Sequence, residues 1–323
     1  MIPLPSGKDR GTTNTKTNFM KVTATKIIFS LLFIYSITGW SQEEETQTLS
    51  NIQEFTPSKL LKNGQWDVKF FNGLYTETKV ADADGDVSDK IRGTFFTNTT
   101  EIYTGISQNR RINIGLIFQV RSNKVGGEAL DVFSFKNNKE TTRSGLTTIA
   151  PSVRIQPFAS ISNFSFTSSF YFPVFEDAPN AVYLDKRSYF WETRFFYDKT
   201  FGNNKWQLFT EADFGFNFGE KDEEADPLTE NIGERFANNS LFLPLSAFLS
   251  YFPSDKSTVF VNAQQAFLID LGSNFEQNYT QLGFGGKYQI TEVLNMEASY
   301  GKFVRGNSTG LGQSFSLGLR ALF

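Results

Sequence analysis

The feature that most constrains the fold is a two-residue alternation of apolar and polar side chains. It is clearest in residues 111–124, RINIGLIFQVRSNK. The apolar residues are Ile112, Ile114, Leu116, Phe118 and Val120. The residues between them are Arg111, Asn113, Gly115, Gln119 and Arg121, and Ile117 is the one exception. Because successive side chains of a strand point to opposite faces, this period predicts a β-strand with one apolar and one polar face.

Twelve segments show this kind of pattern. They lie near residues 65–77, 92–106, 111–124, 145–157, 163–174, 188–199, 205–219, 240–252, 258–270, 278–290, 294–305 and 312–323. Connections as short as SQNR, TFGNN, PSDKS and TEV alternate with longer ones, for instance 78–91, 125–144 and 219–239. This alternation is typical of transmembrane barrels, whose short turns face the periplasm and whose longer loops face outward. We therefore predict an all-β fold, a single antiparallel up-and-down transmembrane β-barrel of about 12 strands over residues 65–323.

A soluble β-sandwich or propeller is the main structural alternative, because it is also built from many short strands. Its apolar faces would point into a core rich in Val, Ile and Leu, whereas this chain has 36 phenylalanines. The polar faces of the strand segments in this chain also carry full charges at mid-strand, as the lumen face of a membrane barrel does. The segment 240–252, SLFLPLSAFLSYF, is apolar on both faces and would suit a sandwich. The other segments favour the barrel.

The N-terminal region predicts export. From Met20, two lysines precede the charge-free, largely apolar residues 27–40, and Gly39 and Ser41 form a small-residue cleavage pattern before Gln42. We predict a misassigned extension at 1–19, a signal peptide at 20–41 and a short periplasmic segment at 42–64. Removing residues 1–41 takes five basic residues and one acidic residue from a net charge of −3, which leaves −7. So acidic a chain has no general attraction to nucleic acid.

Aromatic residues cluster at the ends of the predicted strands. If the first strand rises from the periplasm, Trp66, Tyr197 and Trp206 fall at periplasmic ends, and Tyr189 and Trp191 fall at an external end. Rings with a polar tip prefer the boundary between membrane and water. The positions therefore predict two aromatic girdles.

The signal peptide, the twelve alternating segments and the C-terminal FSLGLRALF resemble outer-membrane β-barrel proteins of Gram-negative bacteria. The resemblance implies an outer-membrane location after export through the periplasm, with lipid, lipopolysaccharide and the barrel-assembly machinery as partners. A last strand that alternates and ends in Phe resembles the signal read by that machinery, here Phe315, Leu317, Leu319 and Phe323. More loosely, the chain is similar to porin-like small-solute transport barrels, including the fatty-acid and nucleoside channels. The long N-terminal hatch of the fatty-acid transporters has no counterpart in the short segment after Gln42.

Residue composition excludes most catalytic chemistry. The chain has no His and no Cys, so it has no Ser-His-Asp triad, no Cys-His pair and no histidine-ligated metal. The barrel phospholipases and proteases depend on a histidine that this sequence lacks. A carboxylate pair, Glu211 and Asp213, shares one strand face and is a candidate for acid–base work. Carboxylates neutralised by lumen arginines are the simpler interpretation, and we predict neither enzymatic activity nor a cofactor.

Charged residues on the polar faces predict the lining of the lumen. The candidates are Lys69, Arg111, Arg121, Arg154, Glu192, Arg194, Glu211, Asp213, Glu297, Arg305 and Arg320. With the remaining acidic residues of these faces, cations and anions nearly balance, which argues against a filter of one sign. The charges either line a narrow water-filled path or pair across the bore, as in small filled barrels.

We therefore predict a narrow channel for passive or facilitated diffusion of a small solute. The alternative is a non-conducting structural or accessory barrel of an envelope, secretion or motility complex. A surface adhesin or receptor that acts through loops 125–144 and 219–239 is a third hypothesis.

Two predicted external loops are acidic. Asp82, Asp84 and Asp86 echo the spacing of a calcium loop but lack its glutamate at position twelve. Residues 219–234, GEKDEEADPLTENIGE, form the second acidic stretch. Solvated charged loops are the simpler interpretation of both, and the three aspartates are the only metal-ligand candidates that we name.

Overall fold

The computed structural model of the chain describes residues 58–138, 140–176, 181–219, 239–272 and 275–323. Twelve long strands and one two-residue strand follow one another along these ranges. They are β1 (Trp66–Ala81), β2 (Val87–Gly105), β3 (Ile112–Val125), β4 (Thr142–Ile155), β5 (Phe164–Pro173), β6 (Tyr189–Phe201), β7 (Trp206–Phe218), β8 (Ser240–Ser254), β9 (Ser257–Asp270), β10 (Gln277–Gln289), β11 (Leu294–Asn307), β12 (Thr309–Gly310) and β13 (Gln313–Leu322). The predicted extension and signal peptide, and residues 42–57 of the predicted periplasmic segment, lie outside the described residues.

The sheet closes on itself. Each long strand pairs antiparallel with the next, and β13 pairs with both β11 and β1. At the seam, the Trp66 N–H donates to the Phe323 carbonyl at 2.6 Å, and the Phe323 N–H donates to the Trp66 carbonyl at 3.0 Å. Closure leaves no unpaired edge, which a barrel in lipid requires because hydrocarbon offers no hydrogen-bond partners. The predicted all-β, twelve-stranded antiparallel barrel is confirmed.

The alternation of the sequence sorts side chains between the outside and the lumen. On β13, Phe315, Leu317 and Leu319 are exposed on the outer face, whereas Arg320 points inward to Asp67 on β1. Four of the five predicted girdle rings are exposed at or near strand ends: Trp66, Tyr189, Trp191 and Trp206. The fifth, Tyr197, lies four residues inside β6 and is half-buried, so its placement at a strand end was wrong. Contact of these rings with a membrane boundary, and recognition of the last strand by an assembly machinery, stay predictions.

The connections differ from the prediction at one end of the barrel. We call the end of the barrel at which β1 begins the lower end, and the opposite end the upper end. Five short turns lie at the lower end: those between β2 and β3, β4 and β5, β6 and β7, β8 and β9, and β10 and β11. Of the upper connections, 126–141, 174–188 and 219–239 are long, but 82–86, 271–276 and 308–312 are as short as the lower turns. The prediction of a long loop at 78–91 was wrong. There β1 and β2 continue as a hairpin in which Lys79 pairs with Asp89, and Gly85 turns the chain with φ of 90°.

Residues 129–135 of the connection between β3 and β4 fold onto the outer wall. They contain a 3₁₀ helix, Ala129–Ser134, and the rings of Phe133 and Phe135 meet the Phe96 ring of β2 edge-on at 5.0 and 6.0 Å between centroids. This 3₁₀ helix is the only helix in the described ranges. No helix in those ranges is long and apolar enough to cross a membrane.

Residues 58–65 occupy part of the lower bore. Asn63 forms a parallel bridge with Gly105, where a Cβ would lie 2.1 Å from the Lys62 carbonyl oxygen, so only glycine permits this approach. The contact holds Leu61 in a buried cluster with Tyr103 and Leu322. The lower end of the lumen is therefore narrowed by the chain that leads into β1.

Candidate functional site

The lumen contains a cavity of about 550 Å³. All twelve long strands contribute to its lining, as does the connection 174–188. Arg320 and Lys69 lie toward its lower end, and Lys186 and Ser188 toward its upper end. The bore is therefore not filled by its own side chains.

Ion pairs follow one side of the lumen in a continuous chain. Arg320 forms a two-pronged pair with Asp67, at 2.7 Å from Nε and 2.8 Å from Nη2. Lys69, two residues along β1, donates to Glu101 of β2 at 3.0 Å and lies 3.9 Å from Asp67. Because these groups alternate in sign along the wall, each charge is offset by its neighbours.

Glu101 and Arg194 extend this chain toward the middle of the barrel. The Glu101 carboxylate lies 3.9 Å from the Arg154 guanidinium and 3.7 Å from the Arg194 guanidinium. Arg194 also lies 3.6 Å from Glu192 and 3.8 Å from Glu211. One guanidinium thus faces three carboxylates, a role suited to arginine with its five donors in a fixed plane.

Arg154 is the largest charged side chain of this wall that is almost fully buried. Its Nε donates to the Thr167 hydroxyl at 3.1 Å, and its guanidinium lies over the Tyr103 ring, 4.2 Å from the centroid. The Tyr103 hydroxyl is in turn hydrogen-bonded to Ser152 at 2.7 Å. The Nε of Arg154 and the hydroxyl of Tyr103 therefore both have hydrogen-bond partners within the wall.

Aromatic rings form another side of the cavity. Four phenylalanines from consecutive strands make a ladder, Phe196 of β6, Phe209 of β7, Phe248 of β8 and Phe260 of β9. The centroids are 6.0 Å apart from Phe196 to Phe209, 5.7 Å from Phe209 to Phe248 and 5.8 Å from Phe248 to Phe260. These spacings are typical of favourable ring–ring contacts. We call these four residues the phenylalanine ladder.

Glycines on neighbouring strands let lumen rings lie flat on the wall. A Cβ on Gly215 would lie 2.3 Å from the ring of Phe190, and one on Gly285 would lie 2.5 Å from the ring of Phe260. Side chains at these positions would push the rings toward the centre of the bore. The aromatic–glycine pairs therefore keep the cavity open.

Residues 181–188 of the upper connection bend into the lumen, held by two residues of β3. Asn123 donates its amide protons to the carbonyls of Tyr183 and Leu184 at 2.7 and 2.8 Å. Arg121 pairs with Asp185 at 2.9 Å. Residues 181–188 therefore form the roof of the cavity.

Lys186 reaches from this roof toward the cavity. Its Nζ lies 3.1 Å from the centroid of the Phe190 ring. Burial lowers the pKa of Lys186 to about 7, although the Asp185 and Glu192 carboxylates oppose that shift. No carboxylate of the described ranges lies within 4 Å of its ammonium group.

The structure places most of the predicted lumen residues as expected. Eight of them line the cavity: Lys69, Arg121, Arg154, Glu192, Arg194, Glu211, Glu297 and Arg320. Asp213 points inward from β7 but is not part of the cavity wall. Arg111 lies at the lower rim, where it donates to the carbonyls of Gln156 and Pro157. It thereby joins two of the short turns.

The prediction that Arg305 lines the lumen was wrong. A register shift between Thr280 and Gln281 of β10 inserts an extra residue in β11. Arg305 consequently pairs with Thr280 on the outward side of the sheet, and its side chain is exposed. A bulge of this kind reverses the faces of the residues beyond it, and an alternation pattern does not reveal it.

Cations outnumber carboxylates among the side chains at the surface of the cavity. The wall has seven cations, Lys69, Arg121, Arg154, Lys186, Arg194, Lys287 and Arg320, and four carboxylates, Glu101, Glu192, Glu211 and Glu297. Asp67, Asp198 and Asp213 point inward but lie behind the wall. The accessible surface of the cavity is therefore richer in positive charge than the sequence count indicates.

The first aspartate of the acidic turn 82–86 stabilises that turn. Asp82 Oδ1 accepts the backbone N–H groups of Asp84 at 3.0 Å and Asp86 at 2.9 Å. Such bonds stabilise a tight turn. Within the described ranges, no group of three or more acidic residues is arranged to hold a metal ion. Except for Gly219, residues 219–234 lie outside those ranges.

Sequence reasoning missed the phenylalanine ladder and Lys186. The segment 240–252 contains a signal for the ladder. This segment is apolar on both faces, so some of its apolar side chains must face the lumen. The position of Lys186 had no signal, since nothing in the sequence shows that residues 181–188 bend inward.

No family model and no curated protein matches the sequence. Solved structures share the fold. An outer-membrane channel from Pseudomonas putida F1 is 11% identical, with 82% of this chain and 98% of that chain covered and a TM-score of 0.59. The β-domain of the Bordetella autotransporter BrkA is 11% identical, with 80% and 99% covered and a TM-score of 0.54. The chain has the fold of the outer-membrane β-barrels, as its sequence resemblance predicted.

Proposed function

We propose that the chain is a narrow channel of the Gram-negative outer membrane through which a small solute diffuses. The observation that carries this proposal is the cavity of about 550 Å³ in the bore, with walls from all twelve long strands. A barrel of purely structural use can fill its interior with side chains, and this one does not. The likeness in fold to the Pseudomonas putida channel supports the same conclusion.

The charged wall and the roof give the channel its selectivity. Seven cations and four carboxylates stand at the cavity surface, and Asp67 and Asp185 behind it offset Arg320 and Arg121, which leaves a weak preference for anions over cations. The narrowing of the bore by Leu61 below and by residues 181–188 above restricts the size of the solute. Glu211 lies 3.8 Å from Arg194, an arrangement that suits a structural carboxylate, and we assign no catalytic role to Glu211 or Asp213.

A non-conducting accessory barrel is the second candidate. Two observations favour it: the ion pairs that run from Arg320 to Glu211, and the buried position of Leu61 in the lower bore. A lumen whose charges are paired can serve as a rigid support for a partner without passing a solute.

Conductance of the refolded protein in planar bilayers, with reversal potentials measured in a salt gradient, tests the proposal. We expect discrete current steps and a preference for chloride over potassium. Silence at all voltages would overturn the channel and leave the accessory barrel. Arg305→Gln serves as a control: it removes a positive charge from the outer surface and should leave the ion selectivity unchanged.

A further inference from the structure

The ion pairs of the lumen differ in how far their charges are exposed to the bore. Three of them have a carboxylate side chain that is at most 10% exposed: Arg320–Asp67, Lys69–Glu101 and Arg121–Asp185. Lys287 of β10 and Glu297 of β11 pair at 2.9 Å, and their side chains are 36% and 26% exposed. Among the lumen ion pairs of the described ranges, only this pair exposes more than a quarter of each side chain. A solute in the cavity can therefore reach both of its charges.

The wall around this pair is uncharged and open. Lys287 and Glu297 both line the cavity, and they are the only charged residues of β10 and β11, both fully described, that face inward. The next inward positions above them on these two strands are small or carry an amide: Gly285, Gly283, Gln281, Ser299 and Gly301. Such side chains leave space in the bore. A solute that moves along this side therefore meets one exposed pair of opposite charges.

A contact ion pair recognises a dipolar solute better than a simple ion. An anion beside the pair is attracted by Lys287 but repelled by Glu297, and a cation meets the reverse. A zwitterion can lie antiparallel to the pair, so that its carboxylate contacts Lys287 and its ammonium group contacts Glu297 in charge-assisted hydrogen bonds. In an α-amino acid, two covalent bonds separate the ammonium nitrogen from the carboxylate carbon. This close spacing suits a pair whose charged atoms lie 2.9 Å apart.

We infer that the Lys287–Glu297 pair is a binding site for small zwitterions of the α-amino acid type, which the channel passes in preference to simple ions. The overall charge of the wall does not oppose this choice, because most of its cations are offset by carboxylates in or behind it. As a statement about the transported solute, the inference rests on the proposed channel function. Binding at the pair does not require conduction.

Uptake into proteoliposomes tests the inference with four probes of nearly equal size. Glycine is the zwitterion, glycolate the anion, glycinamide the cation and glycolamide the uncharged solute. Each is isotope-labelled and supplied well below saturation in one mildly acidic potassium chloride buffer, and uptake by protein-free vesicles is subtracted. We expect the initial uptake of glycine to exceed that of each other probe by about 3- to 5-fold. Uptake of glycine no faster than that of the other probes overturns the inference and leaves the channel.

Variants of the pair separate the site from the overall charge of the wall. The double variant Lys287→Gln, Glu297→Gln keeps the net charge and should abolish the advantage of glycine. Lys287→Gln alone should favour glycinamide, and Glu297→Gln alone should favour glycolate, a reversal that a merely structural role would not produce.

The matched control is the double variant Lys79→Gln, Asp89→Asn. It removes an exposed ion pair of the β1–β2 hairpin that is not part of the cavity wall, and should leave the preference for glycine unchanged. An equal loss of preference in the control and in the lumen double variant overturns the inference. A difference in migration between unheated and heated samples in SDS gels shows that each variant is folded.

A binding measurement distinguishes failure of the site from failure of the channel. If no probe enters the vesicles and the bilayers are silent, the channel proposal fails. Saturation-transfer NMR of glycine with the refolded barrel in detergent then decides the inference. A glycine signal that the lumen double variant loses supports the site, whereas no signal, or an equal signal in that variant, overturns it.

Discussion

At the scale of single residues, two arginines of the lumen have different importance for stability. Arg320 holds the fully buried carboxylate of Asp67 with two bonds shorter than 3 Å. Arg194 faces three carboxylates at 3.6 to 3.8 Å, and its side chain is 23% exposed to the cavity. Short bonds in a dry site are worth more than longer contacts in a wet one.

Replacement of Arg194 should change selectivity more than stability. In Arg194→Gln, Glu101, Glu192 and Glu211 lose their common cation, so the cavity becomes more negative. We expect a shift of the bilayer reversal potential toward cation preference and a loss of about 1–2 kcal/mol in the free energy of unfolding. Urea titration of the barrel in lipid vesicles measures the second quantity. An unchanged reversal potential would contradict the assignment of Arg194 to the conducting wall.

Lys186 should make stability depend on pH. The folded barrel loses this proton near pH 7, whereas the unfolded chain keeps it to about 10.5. The unfolded state therefore binds more protons between these values, and the free energy of unfolding rises with pH across that window. The penalty for the buried charge is complete below about pH 7 and absent above about pH 10.5.

The measurement is the difference between the native protein and Lys186→Met. The stability advantage of the variant should be largest near pH 6 and should shrink steadily toward pH 10, since other groups titrate equally in both proteins. A difference that does not change with pH would show that Lys186 stays charged in the folded barrel.

At the scale of elements, the side chains of most strands point to the faces that the apolar–polar alternation of the sequence predicts. The exception Ile117 points inward and packs with Ala150, Tyr171 and Phe190 in a buried cluster. Its apolar side chain in the polar series thus has a use inside the barrel. By contrast, the bulge at Arg305 and the extended β1–β2 hairpin were not predictable, because both depend on the pairing of two strands and not on one.

Gly215 should be essential for the open bore. In Gly215→Ala the new Cβ would meet the Phe190 ring, which must then turn into the cavity beneath Lys186. We expect a clear decrease in single-channel conductance with little loss of stability, because the ring has space to move. Gly145→Ala is the control, since a Cβ there has no atom within 4 Å. Equal conductance of the two variants would show that Phe190 does not narrow the path.

At the scale of the whole molecule, closure joins the two ends of the described barrel. Trp66 and Phe323 exchange backbone hydrogen bonds, and the Asp67–Arg320 pair crosses the same seam inside the lumen. The seam is formed between residues far apart in the chain, so its formation costs more loop entropy than a hairpin does. Side-chain bonds across it are therefore well placed to stabilise the closed state.

Loss of Arg320 should weaken this seam. Arg320→Gln leaves the Asp67 carboxylate buried, with Lys69 at 3.9 Å as its remaining cation. We expect a loss of about 3 kcal/mol in the free energy of unfolding, larger than for Arg194→Gln. The double variant Asp67→Asn, Arg320→Gln removes the buried charge and should recover part of the loss. A double variant as unstable as the sum of its two single variants would contradict a direct interaction between the pair.

The sequence by itself determined the strands, their number and the face on which most residues lie, because the two-residue period is a local property of extended backbone. It therefore predicted the barrel and eight lumen residues that line the cavity. Only the tertiary structure decided which charges meet, that residues 181–188 form a roof, and that phenylalanines from β6 to β9 form one ladder. Those facts depend on strand register, on closure of the sheet and on the path of a loop, which bring together residues that no local pattern connects.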